Sequence, residues 1–370
     1  MFFYQLIVGL CLTSLGASTA FANDSFSIYG SDFIVIGDSG NRDTNDEEAG
    51  NAPGTRIGGV EYAYAIASKE VTLEQHLEFV IAYYPFYVKE TGNQIAFSEF
   101  RGHRIRASFG QIHIDFGHEP DEPTDMSWEY AARYVNWLHH GKVTEAWAFE
   151  TGVYDVSTFY EDDDGIAHHQ LRRSPGARIC LPTLDEWTKA GYWDPSKDNG
   201  AGGYWRYPNA SDYEPLPGFP DQGGERNAGD DDAFPLGVCS YPSVRSPWGL
   251  FDMAGGEREW TETARREGHR HLRHTKGSEY FDDQVGSPFS GDLLWITSES
   301  RVGTVRGLRL GTPGALHPAD LNADGRVDFF DVSEFVRWFI DGDDRADLRK
   351  DGSLDVDDVR VFLGLAEMAN

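Results

Sequence analysis

Between Gly191 and Trp248 the chain shows almost no hydrophobic periodicity of helix or strand type and is crowded with Gly, Pro, Asp, Asn and aromatic residues. A stretch this long without regular structure is uncommon inside a compact domain. The chain must therefore fold around long ordered loops, held by function or by a staple. Bound calcium is one natural staple. Within the stretch, RNAGDDDAF supplies Asn227, Asp230, Asp231 and Asp232 as candidate oxygen ligands, although polar loop residues are equally served by water.

Helical signals around this stretch are few but clear. Thr72 and Gln75 form a capping box ahead of Leu73, Leu77, Val80, Ile81 and Tyr84, which share one face until Pro85 is expected to end the helix. Ser127 precedes a second helix carrying Trp128, Ala131, Val135 and Leu138 and closed by Gly141. Thr183 and Glu186 make another capping box before Trp187 and Ala190. These are structural signals and carry no activity.

The C-terminus carries a different constraint, the stretches DLNADGRVDFFD and DLRKDGSLDVDD. In the first, Asp320, Asn322, Asp324, Asp328 and Asp331 place side-chain oxygens at loop positions 1, 3, 5, 9 and 12. Arg326 stands at position 7, which needs only a backbone carbonyl, and Gly325 occupies position 6, where the loop turns sharply. Hard oxygen ligands at this spacing suit Ca²⁺. The second copy keeps Asp347, Asp351, Gly352, Ser353, Asp355 and Asp358 but puts Arg349 at position 3. After the first loop, Val332, Phe335, Val336 and Phe339 recur at helical spacing.

The tandem resembles a type I dockerin, a small all-α, EF-hand-like module over residues 320–365. That resemblance implies a cohesin-like or cell-envelope partner. It departs from the dockerin pattern at loop positions 10 and 11, which are Phe329 and Phe330 and then Val356 and Asp357. Crowding the acidic side chains of one loop together is unfavourable before metal binds, so calcium is expected to govern folding of residues 312–370.

A net charge of −29 over 370 residues argues against nucleic acid, whose phosphates such a surface repels. The N-terminus has an apolar run from Leu6 to Leu15 and ends in Ala20-Phe21-Ala22, so residues 1–22 read as a secretory signal. No later stretch reaches the roughly 18 apolar residues of a membrane span. The expectation is a secreted or cell-surface protein without a transmembrane segment. Beyond the signal only Cys180 and Cys239 remain, and in an oxidising compartment a disulfide between them is expected.

The segments EVTLEQHLEF, PTDMSWEYAARYVNWL, LPTLDEWTKAGYW, SPWGLFDMAGGEREWTET and VRGLRLG, in this order, resemble the successive motifs of the formylglycine-generating enzyme family, the sulfatase-modifying factors. The resemblance implies an α+β, C-type-lectin-like fold over residues 23–311, with a linker at 312–319. It also implies oxidation of a substrate cysteine to formylglycine using copper, O₂ and two cysteines late in the domain. The corresponding stretch here, residues 274–311, contains no cysteine. Thiolates suit Cu(I) as soft ligands, so copper and formylglycine synthesis are not expected. The family's R-G-G-S-W appears as Thr275-Lys276-Gly277-Ser278-Glu279, and its G-N-V-W-E-W as Gly255-Gly256-Glu257-Arg258-Glu259-Trp260, which loses a calcium-binding Asn.

ARREGHRHLRHTK gathers Arg265, Arg266, Arg270 and Arg273 with His269, His271 and His274. On a strand, His269, His271 and Arg273 share a face and can hold an anion or a transition metal, although such a run also serves as a charged edge strand. The functional expectation is an exported calcium-binding protein with a non-catalytic lectin-like domain that binds a glycan or peptide or acts as a scaffold, attached by its tail. The alternative is a divergent, metal-dependent extracellular oxidase or sulfatase-modifying enzyme.

Overall fold

The structure, a computed structural model, describes residues 25–49, 53–92, 98–108, 111–163, 167–227, 235–267, 270–280, 293, 296–299, 304–313, 319, 327, 329–343, 346–349 and 353–368. It is α+β. Strands β1 (Ser25–Ile28) and β2 (Ser31–Ile36) form a hairpin across Tyr29 and Gly30, both at positive φ (53° and 80°), the conformation a two-residue turn requires. Strand β3 (Tyr64–Ala67) pairs antiparallel with β2.

Helices α1 (Leu73–Thr91), α2 (Trp128–His139) and α3 (Leu184–Tyr192) follow. A second antiparallel sheet comprises β4 (Glu259–Glu267), β5 (Arg270–Lys276) and β6 (Thr297–Glu299). Strand β7 (Gly311–Thr312) returns to pair with β3, so the end of this domain closes the sheet that its beginning opened.

Both expected capping boxes form: Thr72 with Gln75, and Thr183 with Glu186. Helix α1 does not end at Pro85 but continues to Thr91, where Gly92 caps it in the left-handed region (φ 63°). The proline removes only the bond to the carbonyl four residues back, at Ile81, and Ile81 lies on the exposed side of the helix, where water can serve it. The buried face of α1 is correspondingly His76, Phe79, Val80, Tyr83 and Tyr87 rather than the Ile81 side. Phe79 meets Tyr134 of α2 edge-on at 5.4 Å and Phe100 at 6.0 Å, building an aromatic core between the two helices. Truncating a ring so enclosed costs about 3–5 kcal/mol.

Aromatic and polar side chains staple the described part of the aperiodic stretch. Trp193 donates to Asp38 (2.6 Å), the Tyr204 hydroxyl to the Arg42 carbonyl (2.9 Å), and the Tyr241 hydroxyl to the Gly218 carbonyl (2.9 Å). Arg226, 1% exposed, ties Pro215 and Glu214 together. Residues 228–234, and with them Asp230, Asp231 and Asp232, lie outside the described residues.

At the C-terminal end, α4 (Phe329–Asp341) and α5 (Val356–Met368) share a small core of their own. Phe335 and Phe362 stack at 4.4 Å, and Ala319, Trp338 and Ala346 are buried with them. Among the described residues, no helix is long and apolar enough to cross a membrane.

Candidate functional site

The first turn of α3 organises one wall of a cleft of about 650 Å³. Glu186, placed by the capping box, accepts the Thr183 backbone N–H through Oε2 (2.7 Å). The same carboxylate accepts Arg173 Nη2 (2.7 Å), and through Oε1 the Tyr62 hydroxyl (2.7 Å). Arg173 is fully committed: its Nε lies 2.5 Å from Glu262 Oε2 and its Nη1 2.6 Å from Cys180 Sγ. Burial raises the carboxyls of Glu262 and Asp185, opposed by Arg173 in the first case and by the Gly58 N–H in the second.

Over this network the cleft is lined by Tyr62, Leu171, Arg172, Asp185, Glu262 and Thr263. Tyr62 and Leu171 are each 47% exposed, large apolar side chains left open beside charged ones. The volume is that of a small-ligand pocket, and the lining offers a ring face, the Asp185 carboxylate and the Arg172 guanidinium together.

Beneath the other end of β4 lies a buried charge cluster. Glu259 accepts Trp187 Nε1 (2.5 Å) and pairs with the fully buried Arg309 (2.8 Å). Glu70 Oε1 accepts the Glu257 N–H (2.8 Å), and burial, reinforced by the Glu259 charge, holds the Glu70 carboxyl well above its usual range. Glu257 is ion-paired with Arg104, which also stacks on Tyr280 at 5.3 Å. Burial pushes Glu257 up to about 8 against the pull of Arg104. Glu279 lies 3.1 Å from Arg306 and 3.5 Å from Arg258. Glu257 and Glu279 stand at two departures from the sulfatase-modifying-factor motifs, and each lies beside arginine: Glu257 beside the buried Arg104, Glu279 beside the buried Arg258 and the partly buried Arg306.

Arg273 is not available as a surface ligand. It is 3% exposed, sits 4.0 Å over the Trp128 ring, and donates to the carbonyls of Leu171 (3.1 Å), Glu262 and Gln170. Burying this side chain required every donor to find a partner, which removes it from ligand binding. His271 stands on β5 opposite Arg266, and His269 lies outside the described residues.

The expected Cys180–Cys239 disulfide is absent: both are free. Cys180 is enclosed against Arg173, and Cys239 sits at positive φ (65°) with its N–H bonded to Asp252. Burial raises both thiols, Cys239 to about 11. Neither fits a copper-thiolate centre in residues 274–311.

Asn227 is buried, with Oδ1 accepting the Gly256 N–H (2.8 Å), a tie within the fold. In the tail, Asp331 and Asp358 are buried, and Asp347, Ser353 and Asp355 are described, while Asp320, Asn322, Asp324, Arg326, Asp328 and Asp351 lie outside the described residues. Among the described residues no group of three or more His, Cys, Asp or Glu side chains is arranged to hold a metal.

The description "Sulfatase-modifying factor enzyme 1-like domain" matches residues 29–304. The chain belongs to this family. Two solved structures are similar to this member. CarF aligns over 77% of this chain and 99% of its own, at 20% identity and a TM-score of 0.46. PvdO from Pseudomonas aeruginosa aligns over 80% and 99%, at 17% identity and a TM-score of 0.43. Comparison with curated proteins gives no match.

The residues that sequence reasoning missed are Tyr62, Arg104, Arg173 and Arg306. Isolated in sequence, they acquire meaning only from the carboxylates they meet. One signal was present: acidic residues at two family-motif positions require cations elsewhere in the chain.

Proposed function

We propose that this sulfatase-modifying-factor member is an exported, lectin-like binding protein that takes a polyhydroxylated, glycan-type ligand in the Tyr62 cleft and does not make formylglycine. The observation that carries the reading is the cleft itself, where an exposed ring and an exposed aliphatic side chain adjoin Asp185 and Arg172. Sugars are bound by this combination: an aromatic face for the ring carbons, with carboxylate and guanidinium groups for the hydroxyls. The absence of cysteine from residues 274–311, with Cys180 enclosed elsewhere, supports a non-oxidising role.

The tail is the attachment module in this reading, of dockerin type, ordered by calcium at its first loop and directed to a cohesin-like or cell-envelope protein. Phe329 and Ile340 of α4 and Val356 of α5 support it, being more than half exposed on a module with its own core. Asp331, buried at the start of α4, fits the last ligand position of the first loop.

The test is a glycan array probed with the full chain. Wild type is expected to bind a defined set of glycans. Tyr62→Ala and Asp185→Asn should each weaken binding about tenfold, the equivalent of about 1.4 kcal/mol for one stacking or hydrogen-bonding contact. No binding to any glycan ends the cleft reading. A mass change to formylglycine in a cysteine-bearing peptide, incubated with the chain, copper and O₂, ends the non-oxidising one.

A further inference from the structure

The two Asp-rich loops differ at the position that decides what cation each can take. Position 3 is Asn322 in the first loop and Arg349 in the second. A guanidinium has five donors and no acceptor and keeps its charge at all accessible pH, so it cannot ligate a metal and repels one that approaches.

The side chains around Arg349 are arranged accordingly. Its Nη1 lies 3.2 Å from Asp357 Oδ2 and 3.8 Å from Asp355 Oδ1. Asp358 stands at position 12, where a loaded loop presents its carboxylate to the ion. It is buried and turned onto the loop's own backbone: Oδ1 accepts the Arg349 N–H (3.2 Å) and Oδ2 the Asp355 N–H (3.0 Å). Asp355 Oδ1 accepts the Asp357 N–H (2.8 Å), and Asp357 Oδ1 is held by Arg360 (2.5 Å). The carboxylates at positions 9, 11 and 12 are thus satisfied by donors of the protein itself. These residues do not fit calcium.

We infer that Arg349 is the built-in cation of the second loop, paired with Asp355 and Asp357 in place of a metal, so that this loop takes no calcium. The inference builds on the calcium reading of the first loop. Its consequence is that calcium acts on the module through the first loop alone.

The test counts calcium bound per full-length chain by equilibrium dialysis. Arg349→Asn restores an oxygen at position 3 and is expected to bind one ion more than wild type; Asp355→Asn in that background should remove the added ion. Arg349→Lys keeps the charge and should keep the wild-type count. Equal counts for wild type and Arg349→Asn overturn the inference, as does an added ion in Arg349→Lys. If Asp324→Asn leaves the wild-type count unchanged, the first-loop reading fails, while the difference between wild type and Arg349→Asn still decides this one.

Discussion

Replacing Arg309 by Met tests what holds the large domain together. The side chain is fully buried and donates to both carboxylate oxygens of Glu259 at 2.8 to 3.1 Å. It also donates to the carbonyls of Ala67 (3.1 Å), Phe251 (3.0 Å) and Asp252 (3.3 Å). Because Ala67 belongs to β3 and Phe251 and Asp252 to the segment that leads into the family motif, one guanidinium ties the two together. Met fills much of the same space, so the substitution isolates charge from cavity. Removing one partner of a buried ion pair costs about 3–5 kcal/mol, since the other charge is stranded away from water. Glu70 and Asp252, whose carboxyls burial already raises, lie within reach of the same guanidinium and deepen the loss. Against a typical domain stability of about 5–15 kcal/mol, Arg309→Met should remove about a fifth or more. Urea unfolding followed by tryptophan fluorescence measures it, with an unchanged slope confirming that stability alone has moved. Adding Glu259→Gln removes the stranded charge and should recover part of the loss. A cost below about 1 kcal/mol for Arg309→Met refutes the reasoning.

Two further outcomes are expected. The Glu257 carboxyl, raised by burial from its ordinary 4.5 to about 8, favours the folded state when protonated. Its contribution is complete below the ordinary value and is lost as pH rises through about 8, at a slope of at most about 1.4 kcal/mol per pH unit. Glu257→Gln should flatten that part of the stability profile, and identical profiles for the two proteins contradict the assignment. Alkylation of unfolded chain without reductant should modify both Cys180 and Cys239, which are free. Recovery of a Cys180–Cys239 bridged peptide by mass spectrometry counts against this arrangement.

Local order was legible because its causes are local. Thr72 with Gln75 and Thr183 with Glu186 announce their helix starts through contacts three residues apart, and both form. The ordered motifs from Glu70 to Gly311 carried the family, and the length of the aperiodic stretch required ordered loops. The end of α1 was not legible, because whether Pro85 stops a helix depends on whether the freed Ile81 carbonyl meets water, and only the fold sets that. Arg273 was misread for a related reason: alternation on a strand says which residues share a face, not which face the rest of the protein covers.

By itself, then, the sequence determined the α+β class, the helix starts, the two Asp-rich loops and the substitution of Arg for an oxygen ligand at position 349. The tertiary structure alone decided where each buried charge finds its counter-charge. Glu186 shows why. Its backbone position follows from a capping rule that needs four residues, whereas its meeting with Arg173 and Tyr62 spans up to 124 residues of chain. That meeting exists because enclosing a charge is tolerable only when distant segments bring it a partner.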